Sequence, residues 1–256
     1  MAVVRVVDGR DAVAEAAAEE FVAIVTAALD ERGVAHVALT GGSSVPGLYG
    51  RLAGPIHRDA LDWSRVELWW GDERIVAAGD RAAHAHTALD TLLGPGSPAS
   101  SAHVHPLPID LAIAEGSTPA HAADVYAAQL RDRIPAGPDG LPVFDLILLG
   151  MGSDGHILSV FPGSPALDAD APLVLAIPAP AHIEPHLARL TLNPRLVGTA
   201  RRVLVMCTGG AKASRVAEVL EGPADVRRLP AQLARGDNAL WLIDAAAAAA
   251  LRTTHR

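Results

Sequence analysis

Short apolar runs alternate along the chain with longer stretches in which apolar residues recur every three to four positions. The first run, Val3-Val-Arg-Val-Val7, predicts a strand. From Asp11 to Arg32 the residues Val13, Ala17, Phe21, Ile24 and Ala28 fall on one face. That spacing predicts a helix, and Gly33 stops it. A strand follows over Val34 to Leu39, then a helix through Tyr49 and Leu52. Val66-Glu-Leu-Trp-Trp70 predicts another strand, with helices around His84 to Leu93 and over Thr118 to Arg133. Phe144-Asp-Leu-Ile-Leu-Leu149 is apolar on both faces, the pattern of a central parallel strand covered by helices. Further strands are expected at Leu173 to Ile177, Arg189 to Leu192, Arg202 to Cys207 and Ala239 to Ile243. Helices fit Ala211 to Leu220 and the alanine run after Asp244, a good N-cap. The alternation predicts an α/β fold: a doubly wound, mainly parallel sheet flanked by helices. The Gly/Pro/Ser stretch at residues 94–101 reads as a surface loop and no repeat is visible. A single domain over residues 1–256 is expected.

Composition narrows the function classes. Half of the 256 residues are apolar and the formal net charge is -8, with the acidic residues dispersed. A nucleic-acid partner demands a basic face, so none is expected. A small anionic ligand needs only two or three local cations and stays open. The one cysteine, Cys207, lies inside the apolar run Val203-Leu-Val-Met-Cys207 and reads as a core residue. It offers neither a disulfide framework nor a thiolate metal site. The N-terminus has no signal-peptide pattern, and no apolar run approaches the ~20 residues of a membrane span. Cytoplasmic residence without a membrane partner is therefore expected, as a monomer or weak homodimer.

In an open parallel sheet, ligands bind beyond the carboxyl ends of the strands. Three polar loops are expected at such ends. In Thr40-Gly-Gly-Ser-Ser-Val-Pro46, Gly42 lets the backbone approach a ligand, and Ser43 and Ser44 bring hydroxyls before a helix. An ordinary strand-to-helix turn would use the same residues, and no Walker lysine follows. In Gly71-Asp-Glu-Arg74, Asp72 suits orienting work and Arg74 suits multi-point contact with phosphate, unless the two form a surface ion pair. The third loop, Gly150-Met-Gly-Ser-Asp-Gly-His156, formally satisfies a dinucleotide fingerprint. Phe161-Pro-Gly-Ser164 cuts short the helix that such a site needs, and the next strand ends at Pro178-Ala-Pro180 without the ribose-binding acid.

The same loop can serve catalysis. His156 sits beside Asp154 in a glycine-flanked turn, and an imidazole is matched to general-base work near neutral pH. The histidines at 36, 57, 103, 105, 121 and 186 are expected to be solvated. Neither a His-Glu-x-x-His spacing nor a Gly-x-Ser-x-Gly elbow occurs, so no metal, no cofactor and no serine nucleophile are expected. Lys212 follows Thr208-Gly-Gly-Ala at a helix start, where the dipole disfavours a cation unless an anion bridges the two. Arg189 opens the strand Arg-Leu-Thr-Leu.

These segments together resemble the 6-phosphogluconolactonase family, within the wider group that includes glucosamine-6-phosphate deaminases. The resemblance rests on Leu39-Thr-Gly-Gly-Ser-Ser-Val-Pro-Gly-Leu-Tyr49, Trp70-Gly-Asp-Glu-Arg74 and Phe144 to His156 with Phe161-Pro-Gly. Arg189-Leu-Thr-Leu, Thr208-Gly-Gly-Ala-Lys212 and Trp241-Leu-Ile-Asp244 also match. It implies hydrolysis of 6-phospho-D-glucono-1,5-lactone in the pentose phosphate pathway, with His156 as general base on water. Backbone N–H groups of the Gly150 to Gly155 turn would stabilise the oxyanion. Asp72 would orient His156 or a substrate hydroxyl. Gly42, Ser43, Ser44, Arg74, Gly152, Arg189 and Lys212 would bind substrate and phosphate.

Two positions depart from the family: Ala83-His84 stands where Ser-Asn is common, and Ile157 replaces a threonine. The deaminase alternative is disfavoured by Arg74, where those enzymes carry tyrosine, and by Ser159-Val-Phe-Pro-Gly163 in place of Phe-Asn-Glu-Pro. A non-catalytic sugar-phosphate sensor is the other alternative. Such regulators carry a helix-turn-helix ahead of the sensor, and a strand beginning at Val3 is expected to leave no room for one.

Overall fold

The computed structural model describes residues 1–77 and 79–252, so Ala78 and the last four residues of the expected domain lie outside the described residues. The chain runs β1 (Val3–Val7), α1 (Gly9–Arg32), β2 (Ala35–Leu39), α2 (Val45–Ala53), β3 (Val66–Trp70), β4 (Asp72–Arg74) and α3 (His84–Ala88). It continues through β5 (His103–His105), α4 (Ile109–Ile113), α5 (Pro119–Arg133), β6 (Leu146–Gly150), β7 (Val174–Ile177) and β8 (Arg189–Leu192). The last elements are α6 (Arg195–Thr199), β9 (Arg202–Cys207), α7 (Ala213–Glu221), β10 (Ala239–Asp244) and α8 (Ala245–Ala248).

Seven strands form a wholly parallel sheet in the order β1-β10-β9-β6-β2-β3-β5. Its centre is β6, where Leu146 to Leu149 are all buried, as a strand covered on both faces must be. Helix α1 packs on α2 and across β10. It ends where Gly33 takes φ +79 and returns its N–H to the Leu29 carbonyl, a left-handed cap that a side chain would strain. Asp244 caps α8 by accepting from the Ala247 N–H at 2.8 Å. No helix among the described residues is long and apolar enough to cross a membrane.

Three expectations need correction. Asp72 to Arg74 is not a loop but a short strand, and β7 and β8 leave the main sheet to join it in an antiparallel sheet ordered β4-β8-β7. Gly71 is the joint between the two sheets. Its N–H donates to the Leu39 carbonyl of the main sheet, and its own carbonyl accepts from Leu192 of the small one. A Cβ there would meet the end of the Leu158 side chain at 2.7 Å, so any other residue would push Leu158 aside. The second correction is that His103 to His105, for which the pattern predicts no element, forms an edge strand. The third is that the histidines are not uniformly solvated. His36 and His57 are buried, and His105 stacks on Trp69 at 4.0 Å. Burial lowers the His36 pKa from its ordinary value, even against the pull of Asp145 and Glu67. His103, His121 and His186 are exposed.

One buried hydroxyl ties the end of β3 to its neighbours. The Tyr126 hydroxyl accepts from the Trp70 N–H at 2.9 Å and lies within 3.3 Å of the Trp70 and His105 carbonyls. Tyr126→Phe strands a buried N–H, and should lower stability by about 1–3 kcal/mol in urea unfolding. An unchanged unfolding midpoint would show that the hydroxyl contributes nothing.

Candidate active site

The carboxyl ends of β2, β6 and β9 lie side by side, so the loops that follow them converge on a cavity of about 270 Å³. Gly42, Ser43 and Ser44 come from the loop after β2, Gly152 and His156 from the turn after β6, and Lys212 from the turn after β9. The facing wall is the small sheet, which contributes Asp72 and Arg74 from β4 and Arg189 from β8. All nine residues singled out in the sequence therefore line one cavity. His84, Ile183 and Glu184 line it too, and of these sequence reading noted only His84, as a departure from the family pattern.

His156 is held by Asp154. The Asp154 Oδ1 accepts from the His156 Nδ1–H at 2.6 Å and from its backbone N–H at 3.1 Å. Burial alone would raise the Asp154 pKa. The hydrogen bond and charge of His156, with His182 and the backbone, outweigh it and hold the carboxyl well below its usual range. An ionised carboxylate can only accept, so Nδ1 carries the proton and the neutral ring keeps its lone pair on Nε2. The Nε2 atom has no hydrogen-bond partner among the described residues. Phe161 packs on the ring at 4.7 Å. At position 152 a Cβ would sit 2.2 Å from the imidazole, so glycine there lets the ring lie against the backbone.

This geometry corrects two sequence expectations. Asp72 is not the partner of His156. Its carboxylate accepts from the Ser159 hydroxyl and lies 3.5 Å from His84 Nδ1. The turn after β6 also keeps two of its N–H groups for itself, since Gly152 donates to the His156 carbonyl and Gly155 to the Gly152 carbonyl. By contrast, the N–H groups of Gly42 and Ser43 donate to no acceptor among the described residues, and Gly42 takes φ +100. Ile157 is fully buried and bridges to Val160, outside the cavity lining.

The opposite wall concentrates positive charge. Arg74 and Arg189 are direct cross-strand partners, an arrangement that is repulsive unless other charges offset it. Asp72 lies on the same strand as Arg74, and Glu73 is turned away to accept the N–H groups of Arg74, His84 and Ala85. Arg189 is 3 % exposed, stands 5.3 Å over the Phe161 ring, and is shifted below its ordinary pKa by burial despite Asp72. The Nε atoms of both arginines are buried without a hydrogen-bond partner among the described residues. Lys212 Nζ donates to the Met151 carbonyl at 2.8 Å, and the Ser44 and Thr208 hydroxyls meet at 3.3 Å. On the main-sheet side Cys207 ends β9 as a buried residue, its thiol pushed up to about 11 by burial. Among the described residues no group of three or more His, Cys, Asp or Glu is arranged to hold a metal ion.

Asp72 and His84 form a buried ion pair with a signed pH dependence. Burial opposes both charges, yet His84 and then Ser159 and Arg189 hold the Asp72 carboxyl low, while Asp72 raises His84. A raised histidine contributes stability that is complete below its ordinary value of 6.5 and is lost as pH rises through the folded value. The lowered Asp72 contributes above 3.8 and loses its share only as pH falls toward its folded value. Wild-type urea midpoints should therefore fall from about pH 6.5 upward more steeply than those of His84→Asn. Parallel curves for the two proteins would refute the pair.

A family profile described as "Glucosamine-6-phosphate isomerases/6-phosphogluconolactonase" matches residues 8–242. The chain is 37% identical over 247 residues to a 6-phosphogluconolactonase of Streptomyces coelicolor, covering 94% of this chain and 92% of that one. It is 36% identical over 242 residues to the 6-phosphogluconolactonase of Mycobacterium tuberculosis, covering 94% and 95%. Among solved structures, 6-phosphogluconolactonase from Trypanosoma brucei superposes with a TM-score of 0.84 at 27% identity, over 97% of this chain and 98% of that one. A monomeric glucosamine-6-phosphate deaminase, at 19% identity and a TM-score of 0.77 over 97% and 99%, shares the fold. With the profile spanning most of its length and such relatives at more than a third identity, the chain belongs to the glucosamine-6-phosphate isomerase/6-phosphogluconolactonase family.

Proposed function

We propose that this chain hydrolyses 6-phospho-D-glucono-1,5-lactone to 6-phosphogluconate, a step of the oxidative pentose phosphate pathway. It does so in the cytoplasm as a single-domain monomer or weak homodimer, without metal or cofactor. The observation that carries this reading is one cavity shared by an oriented histidine base and two opposed arginines whose Nε atoms have no partner among the described residues. An ester carbonyl needs the base, and a phosphate needs the arginines. The relatives named as 6-phosphogluconolactonases support the same substrate.

In the proposed reaction His156 Nε2 takes a proton from water as its oxygen bonds to the lactone carbonyl carbon. The bond from that carbon to the ring oxygen then breaks, and the imidazolium returns the proton to the leaving oxygen, giving a carboxylic acid and a hydroxyl; the acid then loses its proton to solvent. Asp154 keeps the ring in the required tautomer and stabilises the imidazolium. Arg74, Arg189 and Lys212 hold the phosphate, because guanidinium groups make several charge-assisted contacts with phosphate oxygens. The N–H groups of Gly42 and Ser43 supply donors for an anionic oxygen, each of which can be worth roughly 3 kcal/mol in a transition state. Asp72, oriented by His84 and Ser159, accepts from a substrate hydroxyl.

His156→Ala should lower kcat by about 10²- to 10⁴-fold with the urea midpoint preserved. The assay uses freshly made lactone with 6-phosphogluconate dehydrogenase as reporter, corrected for spontaneous hydrolysis. Near-wild-type turnover in that variant would overturn the general-base role. Arg189→Ala and Arg74→Ala should each raise KM about tenfold or more, the worth of a charge-assisted hydrogen bond. An unchanged KM in both would remove them from phosphate binding. Glucosamine 6-phosphate, run beside the lactone, should not be turned over.

A further inference from the structure

Asp154 has two carboxylate oxygens, and only one of them serves His156. The other, Oδ2, lies 2.9 Å from Nε2 of His182. Because the carboxylate can only accept, His182 is the donor. His182 comes from the segment between β7 and β8, whereas Asp154 and His156 follow β6. The residues next to it, Ile183 and Glu184, line the cavity, while His182 itself does not. The His182 ring also stands edge-on to Phe161 at 5.8 Å, and Phe161 is the ring packed against His156 and under Arg189. His182 thus touches both supports of the proposed base, its carboxylate and its aromatic neighbour, without entering the substrate space.

The terminal torsion of an aspartate is soft and roughly two-fold. With one oxygen unheld, the carboxylate swings and the Nδ1–H loses a fixed acceptor. A second donor on Oδ2 pins that torsion. The His182 side chain is 51% exposed against 14% for Asp154, and a contact whose donor stands in solvent adds little to global stability. Its worth lies in alignment, since a displacement of about 1 Å at a reacting group can cost on the order of a hundredfold in rate. We propose that His182 is a positioning residue: its Nε2–H pins Asp154 so that His156 presents Nε2 to water, and it ties this alignment to the segment that forms the cavity rim. The inference rests on the general-base reading of His156.

The test compares His182→Ala, His182→Gln and His182→Asn with wild type and His156→Ala, measuring kcat and KM on the lactone and the urea midpoint. The Gln amide nitrogen is as many bonds from Cα as His Nε2, and the Asn amide is one bond shorter. His182→Ala should lose about ten- to a hundredfold in kcat, with KM within about twofold and the midpoint unchanged. His182→Gln should recover most of the loss and His182→Asn should not. Wild-type kcat in His182→Ala overturns the proposal, as does a Gln variant no better than Ala. A raised KM at unchanged kcat would instead make His182 a substrate contact and also overturns it. Full activity in His156→Ala, or none in wild type, overturns the catalytic reading beneath it. Activity lost in His156→Ala but intact in His182→Ala overturns the positioning role alone.

Discussion

The Asp154 carboxylate accepts the Nδ1–H of His156, and much of the surrounding chain is shaped by the need to keep that contact short. The ring must lie flat against the turn that follows β6, which is why residue 152 has no Cβ. The turn must double back at once, so Gly155 takes φ +88 and Leu158 takes φ +54, a left-handed conformation that costs a side-chain-bearing residue about 1–2 kcal/mol. Burial of Ile157, Val160 and Phe161 offsets that strain. The bridge between Ile157 and Val160 closes the reversal. A helix in this place, as a dinucleotide site would require, would carry the imidazole away from the cavity.

The second constraint is electrostatic. A chain with net charge -8 repels an anion at long range, so an anionic ligand must be drawn by local groups. The small antiparallel sheet supplies them by placing Arg74 and Arg189 opposite each other. Two such charges are tolerable because Asp72 is buried on the same strand and because Phe161 offers its face to one guanidinium. Gly71 makes the arrangement possible, by letting the chain pass from the main sheet to the small one without a side chain in the joint. Function and topology meet at that residue.

The parallel sheet was legible because each of its longer strands is an apolar run, and Phe144 to Leu149 is apolar on both faces. The gathering of Gly42, Ser43, Ser44, Gly152, His156 and Lys212 was legible too, since loops after parallel strands share one edge. What escaped was whatever depends on pairing across long separations. A three-residue strand such as Asp72 to Arg74 has no period to detect, and nothing local says that Arg189 will lie opposite Arg74. Of the two roles expected for Asp72, orienting His156 or a substrate hydroxyl, the first fails because its partners, His84 and Ser159, are 12 and 87 residues away and no local signal names them. Polarity alone does not reveal that His36 and His57 are buried, because the partners that satisfy them inside, Trp69 and Glu15, lie 33 and 42 residues away. His182 lay in a proline-flanked segment with no motif at all.

Base catalysis by His156 turns on which of its nitrogens carries the proton, and imidazole ¹⁵N NMR of the labelled protein reads this directly. At a pH where the ring is neutral, the account predicts a protonated Nδ1 and a bare Nε2 for His156. A spectrum showing the proton on Nε2 would contradict it, because that ring could not accept a proton from water at the cavity face.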